Sequence, residues 1–149
     1  MDPIVKTATV TCSTEHAFNV FVNRIAKWWP LESHSISSAD GKPALDVIIE
    51  PRLGGAIYET KWDGSRAGWG EVLVYEPGRR IAFTFHATSS AIRRPTRVEV
   101  VFEEVGTSTQ VTLTHSGWEV WADEAANKRD NYNSGWDTVF GQCYREACA

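Results

Sequence analysis

Four histidines (His16, His34, His86, His115), three cysteines (Cys12, Cys143, Cys148) and Ser116, directly after His115, carry most of this chain's capacity to move a proton, bind a metal or attack an electrophile. The histidines lie on four separate segments, without the short spacing at which two ligands share an ion, so no metal site is expected. Cys143 and Cys148 are five apart on a predicted helix, which does not align them for a shared ion, and no CxxC pair occurs. His115 and Ser116 are neighbours on a predicted strand, where successive side chains face opposite ways, so they do not form a nucleophile–base pair. HExxH, GxSxG, P-loop and GxGxxG patterns are all missing from the sequence. The residue types support a pocket better than a reaction, and no catalytic residue, metal or cofactor is assigned from them.

Two ionisable side chains stand out by position. Val111 and Leu113 alternate on one face of a predicted strand, and the same phase carries His115 inward at its end. That imidazole is either an acid, base or hydrogen-bond donor in a cavity or a core histidine satisfied by its neighbours. On the strand from Trp69 to Glu76 the phase is ambiguous. If Trp69, Glu71, Leu73 and Tyr75 face inward, Glu71 is a buried carboxylate and Trp69 a cavity wall; otherwise Gly70, Val72 and Val74 do.

The elements that must position these groups follow from periodicity. Residues 4–12 are rich in β-branched side chains and read as a strand. Ser13 or Thr14 can cap the helix that follows, in which Phe18, Phe21, Val22 and Ile25 form one apolar stripe. Pro30 stops it, because proline lacks an N–H and disfavours helix in the residue before it. After a polar loop (33–43), strand-like runs recur at short, even spacing: 45–50, 56–62, 69–76, 80–86, 97–103 and 109–115. Asp63-Gly64, Pro77-Gly78 and Gly106 mark turns. Hairpin-length links imply an antiparallel meander. From about Asp123 the period becomes helical, with Tyr132, Trp136, Val139, Phe140, Cys143 and Ala147 as the expected apolar stripe. Gly135 inside that helix costs about 1 kcal/mol relative to alanine, which a close approach of helix to sheet would offset.

Composition bounds the rest. A length of 149 residues fits a single domain, 1–149, able to bury a sizeable core. The net charge of −4 argues against nucleic acid as a partner, despite the cluster Arg93, Arg94 and Arg97. No apolar run reaches membrane-span length and the N-terminus has no signal-peptide pattern, so a cytoplasmic protein with reduced thiols is expected. Seven tryptophans point to large apolar walls. Trp28 and Trp29 stand side by side before Pro30 and cannot both enter the same packed layer. Either one sits in the core and the other at a cavity entrance, with their assignment open, or both serve as packing and lid.

The order strand, helix, meander, long helix, together with Trp28-Trp29-Pro30, Arg52-Leu53-Gly54-Gly55, Gly70-Glu71-Val72 leading to Glu76-Pro77 and Arg80-Ile81, Leu113 to Trp118, and Gly135-Trp136, resembles the START-like (SRPBCC, helix-grip) superfamily. Within it the chain is most similar to the branch related to the C-terminal domain of Hsp90 ATPase activators. The resemblance implies an α+β fold: a curved antiparallel sheet of six to seven strands around a long C-terminal helix, with one or two short helices after the first strand. It also implies a cavity between sheet and helix for an apolar or aromatic small molecule. The expected lining is Trp28, Trp29, Trp69, Glu71, Phe83, Phe85, His115 and Trp136. Ligand binding is the leading reading. A cyclase-like enzyme using His115 with Glu71 or a tyrosine, and a module docking on a chaperone, are the alternatives; a homodimer is a further candidate assembly.

Overall fold

The computed structural model describes residues 1–86 and 95–148; Arg93 and Arg94 of the arginine cluster lie outside them. All seven expected strands are present: β1 (Ile4–Val10), β2 (Asp46–Ile49), β3 (Ala56–Thr60), β4 (Arg66–Glu76), β5 (Arg80–Phe85), β6 (Thr96–Val105) and β7 (Ser108–Ser116). They form one antiparallel sheet in the order β1-β7-β6-β5-β4-β3-β2. The meander therefore runs β2 to β7 in sequence, and β1 closes onto the far side of β7, with Ile4 opposite His115. The inward rows are as alternation predicts: Val98, Val100 and Phe102 on β6 and Val111, Leu113 and His115 on β7 are buried. At Pro77-Gly78 the chain turns with Gly78 at φ 77°, a conformation that glycine adopts without steric cost.

Between β1 and β2 lie two short helices. Ser13 caps α1 (Thr14–Asn23), its hydroxyl accepting from the His16 N–H at 3.1 Å. This helix buries Ala17, Phe18, Val20, Phe21 and Val22 against the sheet. Helix α2 (Ile25–Trp28) then ends at Trp29, whose ψ of 130° is extended, as Pro30 requires.

After β7 a 3₁₀ segment (Trp118–Glu124) leads into the long helix that the sheet grips. This helix, α3, is α-helical over Ala125–Thr138, π-helical over Val139–Tyr144 and α-helical again over Arg145–Ala147, with helical backbone angles at both junctions. The π stretch corrects one expectation. Trp136, Val139 and Phe140 are buried as expected, but Tyr144 and Cys148 take the buried positions expected for Cys143 and Ala147. A wider turn shifts the phase by about one residue, which the 3.6-residue period cannot anticipate. Tyr144 stacks on Phe140 (5.4 Å between centroids) and donates its hydroxyl to the Ala17 carbonyl at 2.8 Å, tying α3 to α1.

Strand β4 resolves its ambiguous phase in favour of neither set. Trp69 and Val72, three residues apart, are both buried, because the register slips where β4 meets β3 and again where it meets β5. Gly70 sits within the irregularity, where a Cβ would overlap the Thr84 carbonyl. The slip turns Glu71 outward; its N–H donates to the Thr84 hydroxyl at 2.9 Å, and its side chain is exposed.

Candidate functional site

His115 is 0% exposed and lies at the centre of an aromatic cluster, with the Trp118 ring 4.3 Å and the Tyr132 ring 5.0 Å away between centroids. Its two nitrogens have distinct partners. The Trp136 indole N–H can only donate, so Nδ1, 2.9 Å away, must be the accepting nitrogen. The proton then sits on Nε2, which donates to the Thr96 hydroxyl at 2.6 Å, and Thr96 in turn donates to the Phe85 carbonyl at 2.8 Å. The bonding partners fix this tautomer. Burial pushes the imidazole pKa down to about 3, and protonation at Nδ1 would also set two donors facing each other. His115 is thus a neutral strut locking β7, β6 and α3 together. The expectation that it lines a water-accessible cavity fails, because Phe85, Trp118, Tyr132 and Trp136 surround it.

A second buried polar group was not anticipated. Glu59 on β3 is 0% exposed and accepts four hydrogen bonds: from the Trp69 indole (2.8 Å), the Ile36 N–H (2.6 Å), and the Ser37 N–H (3.0 Å) and hydroxyl (2.8 Å). Every lone-pair direction is used, so Glu59 is a clamp on the loop before β2 and no candidate acid or base.

Between that loop, the end of β5 and α3 lies a recess of about 170 Å³. Trp29, Phe85, Tyr132, Trp136 and Val139 make its apolar wall, while His34, Lys128 and Asn131 supply its polar groups. Gly135 forms part of the floor: a Cβ there would point at the His34 ring from 3.8 Å. The expected approach of helix to sheet at Gly135 is therefore replaced by space kept open beneath an imidazole. His34 is half-buried, with Nδ1 2.7 Å from the Ser33 hydroxyl, and burial lowers its pKa against the opposing pull of Glu32.

The expectation that the two rings could not share one packed layer fails: Trp28 and Trp29 are both buried in the core cluster, with ring centroids 5.7 Å apart, because the chain leaves the helix at Trp29, and they differ only in their partners. Trp28 is a core residue, donating to the Val20 carbonyl at 2.8 Å and packed on Phe21 and Tyr144. Trp29 reaches the recess and donates to the His34 carbonyl at 2.8 Å. Of the eight residues expected to line a cavity, the structure brings Trp29, Phe85 and Trp136 to the recess. Trp69 and Phe83 stand behind them, each with its ring near Phe85; Trp28 and His115 are core, and Glu71 is on the outer surface. Lys128, Asn131, Gly135 and Val139 were missed, although they continue the helical face of Tyr132 and Trp136 at three- and four-residue steps. For His34, on a loop, no local signal exists.

Solved structures share this architecture from end to end. An anthrahydroquino-gamma-pyrone synthase complexed with SUM is 28% identical to the chain, with TM-score 0.66 and coverage of 99% of this chain and 97% of that one. A Mesorhizobium loti protein (15% identical, TM-score 0.70, 97% and 95% coverage) and the Aha1 dimer from Colwellia psychrerythraea (17% identical, TM-score 0.60, 95% and 99% coverage) share the fold. A search of curated proteins gave no match. The model of the activator of Hsp90 ATPase homolog 1-like proteins matches residues 11–144, nearly the whole chain, and the protein belongs to that family.

Proposed function

We propose that the protein binds a planar aromatic small molecule in the recess between the sheet and α3. The observation that carries this reading is the wall itself: Trp29, Phe85, Tyr132 and Trp136 face one space whose polar groups, His34, Lys128 and Asn131, converge from the loop and the helix. An apolar pocket with a few oriented polar groups is the usual form of a small-molecule site. At about 170 Å³ the recess is close to the size that takes up a single benzene ring. A ligand of two or more fused rings would seat one edge there and leave its substituents in the opening. Because Trp29 and Trp136 form the wall, binding should quench tryptophan fluorescence with one-to-one stoichiometry. Gly135→Leu, which plugs the floor, should abolish that quenching while the protein stays folded. Unchanged binding in Gly135→Leu would place the ligand elsewhere.

A second reading, acid–base catalysis on the bound ring system, is favoured by two observations. One is the 28% identity to a pyrone synthase over nearly the whole chain. The other is His34, whose lowered pKa keeps its imidazole neutral near pH 7 and whose Nε2 edge lies over the recess, able to accept a proton. Catalysis of this kind would give a rate that falls on the acid side as His34 protonates, and that His34→Gln abolishes without weakening binding to match. With His115 locked and Glu71 outside, His34 replaces them as the acid–base candidate. A rate untouched by His34→Gln would leave binding as the sole activity of the recess.

A further inference from the structure

Among the described residues, the polar lining of the recess contains one cation and no carboxylate. Two of the chain's lysines, Lys6 and Lys61, are paired with a carboxylate, Asp137 at 2.8 Å and Asp40 at 3.7 Å. Lys128 is not: among the described residues no carboxylate lies within ion-pair distance of it. Instead the Lys128 ammonium is held over the Trp121 ring, 4.6 Å from its centroid. Lys42, over the Trp62 ring, is held in the same way, and Glu124, four residues before Lys128, ends the 3₁₀ segment just outside α3 and makes no ion pair with Lys128.

The segment that supplies this ring is locally costly. Ala122, next to Trp121, is the one non-glycine residue with positive φ among those described (φ 49°, ψ −118°). The Trp121 indole N–H is buried without a hydrogen-bond partner, as happens for no other buried side-chain nitrogen or oxygen among the described residues. Backbone strain and an unpartnered donor each cost free energy and persist where the surrounding structure uses what they hold in place. What Trp121 and Ala122 hold in place is the Lys128 ammonium, beside an aromatic slot.

We infer that the recess selects planar aromatic acids, rings bearing one carboxylate, and that Lys128 on its Trp121 platform is the residue that reads the charge. The inference rests on the recess being the ligand site. One ammonium matches one negative charge. A phosphate, with nearly two, would call for a second cation or an arginine fork, and among the described residues neither lines the recess. Ordinary phenols remain protonated at neutral pH and offer Lys128 no charge, whereas an aromatic carboxylate carries one. Asn131 and a neutral His34 can meet its oxygens, or the ring's other substituents, without adding charge.

The test uses two probes of one shape, 2-naphthoate and the uncharged 2-naphthamide, titrated into the full chain and followed by tryptophan quenching. Wild type should prefer naphthoate by roughly five- to tenfold at low salt, the scale of a half-exposed charge-assisted contact, and the preference should shrink as salt is added. In Lys128→Met the ratio should fall to about one, and in Lys128→Arg it should survive. A wild type indifferent to charge, or a Lys128→Met variant with the same ratio, overturns the role of Lys128 and the acid while leaving the recess reading intact. Failure of both naphthyl probes to bind wild type, or binding that persists in Gly135→Leu, overturns the recess reading and this inference with it.

Discussion

His115→Phe separates a structural histidine from a ligand-handling one, and its consequences can be worked from the network. The substitution leaves the Trp136 indole N–H without an acceptor in a site closed to water, which costs about 1–3 kcal/mol. Thr96 keeps its bond to the Phe85 carbonyl and loses only a donor to its oxygen. The phenyl ring is slightly larger than imidazole and meets Trp118 at close quarters, adding about 1 kcal/mol of overpacking. A destabilisation of about 2–4 kcal/mol at pH 8 is expected, seen in urea as a lower midpoint with unchanged slope. The pH dependence provides an independent check. Folded His115 stays neutral down to about pH 3, whereas the unfolded side chain protonates near 6.5. Between those values the unfolded chain holds more protons, so this contribution is complete above about pH 6.5 and is lost as pH falls toward 3. The loss is about 1.4 kcal/mol per pH unit, or about 2 kcal/mol by pH 5. The mutant lacks the titrating group, so its deficit against wild type should shrink by about that amount at pH 5, with His34 cancelling between the two proteins. A midpoint within about 0.5 kcal/mol of wild type at pH 8, together with parallel pH profiles, would refute the buried network.

Glu59→Gln puts an amide donor where a carboxylate oxygen now accepts, and should cost about 3 kcal/mol, lowering Tm by roughly 6–12 °C in a thermal melt. Gly135→Ala should raise stability by up to about 1 kcal/mol, since its Cβ meets His34 only at ordinary contact distance, while weakening binding of an aromatic probe; stability and affinity moving together would contradict a floor kept open for a ligand. Ala122→Gly should stabilise by about 1 kcal/mol, the reverse of the usual effect, because glycine relieves the positive φ; a loss in denaturant melts would show that the backbone there is unstrained.

Strand placement was legible because it depends on local signals. Alternating apolar residues and turn residues at Asp63-Gly64, Pro77-Gly78 and Gly106 bound the strands to within a few residues of where they lie. The inward rows of β6 and β7 were legible for the same reason, whereas on β5 Ala82, between Ile81 and Phe83, is buried as well. Two elements broke their own period and misled. In β4 the extra residue around Gly70 moves Glu71 from a plausible inner carboxylate to the surface. In α3 the π stretch exchanges Cys143 for Tyr144 on the buried side. Neither shift is written in hydropathy, since both arise from tertiary fit: Gly70 yields to a neighbouring carbonyl, and Tyr144 turns in to reach Ala17.

The site was less legible than the fold, and His34 and His115 show why. Position in a strand correctly takes His115 inward, but whether an inward histidine meets a ligand or another side chain depends on what stands on α3 opposite it. Trp136 stands there, spending its only donor on Nδ1. His34 lies in a loop with no period to read and becomes part of the site because Trp29 donates to its carbonyl and Gly135 leaves room beneath its ring. The pairing of Trp28 with Trp29 acquires its reason in the same contact. A single indole could not bond both the Val20 and the His34 carbonyl, since an indole has one N–H to give. With Trp28 committed to Val20, Trp29 both packs against Trp69 and Trp136 and fixes the loop that carries His34 to the recess. Packing and candidate chemistry therefore share one residue, and the segment from Trp28 to His34 builds one wall of the recess as it closes the N-terminal helices.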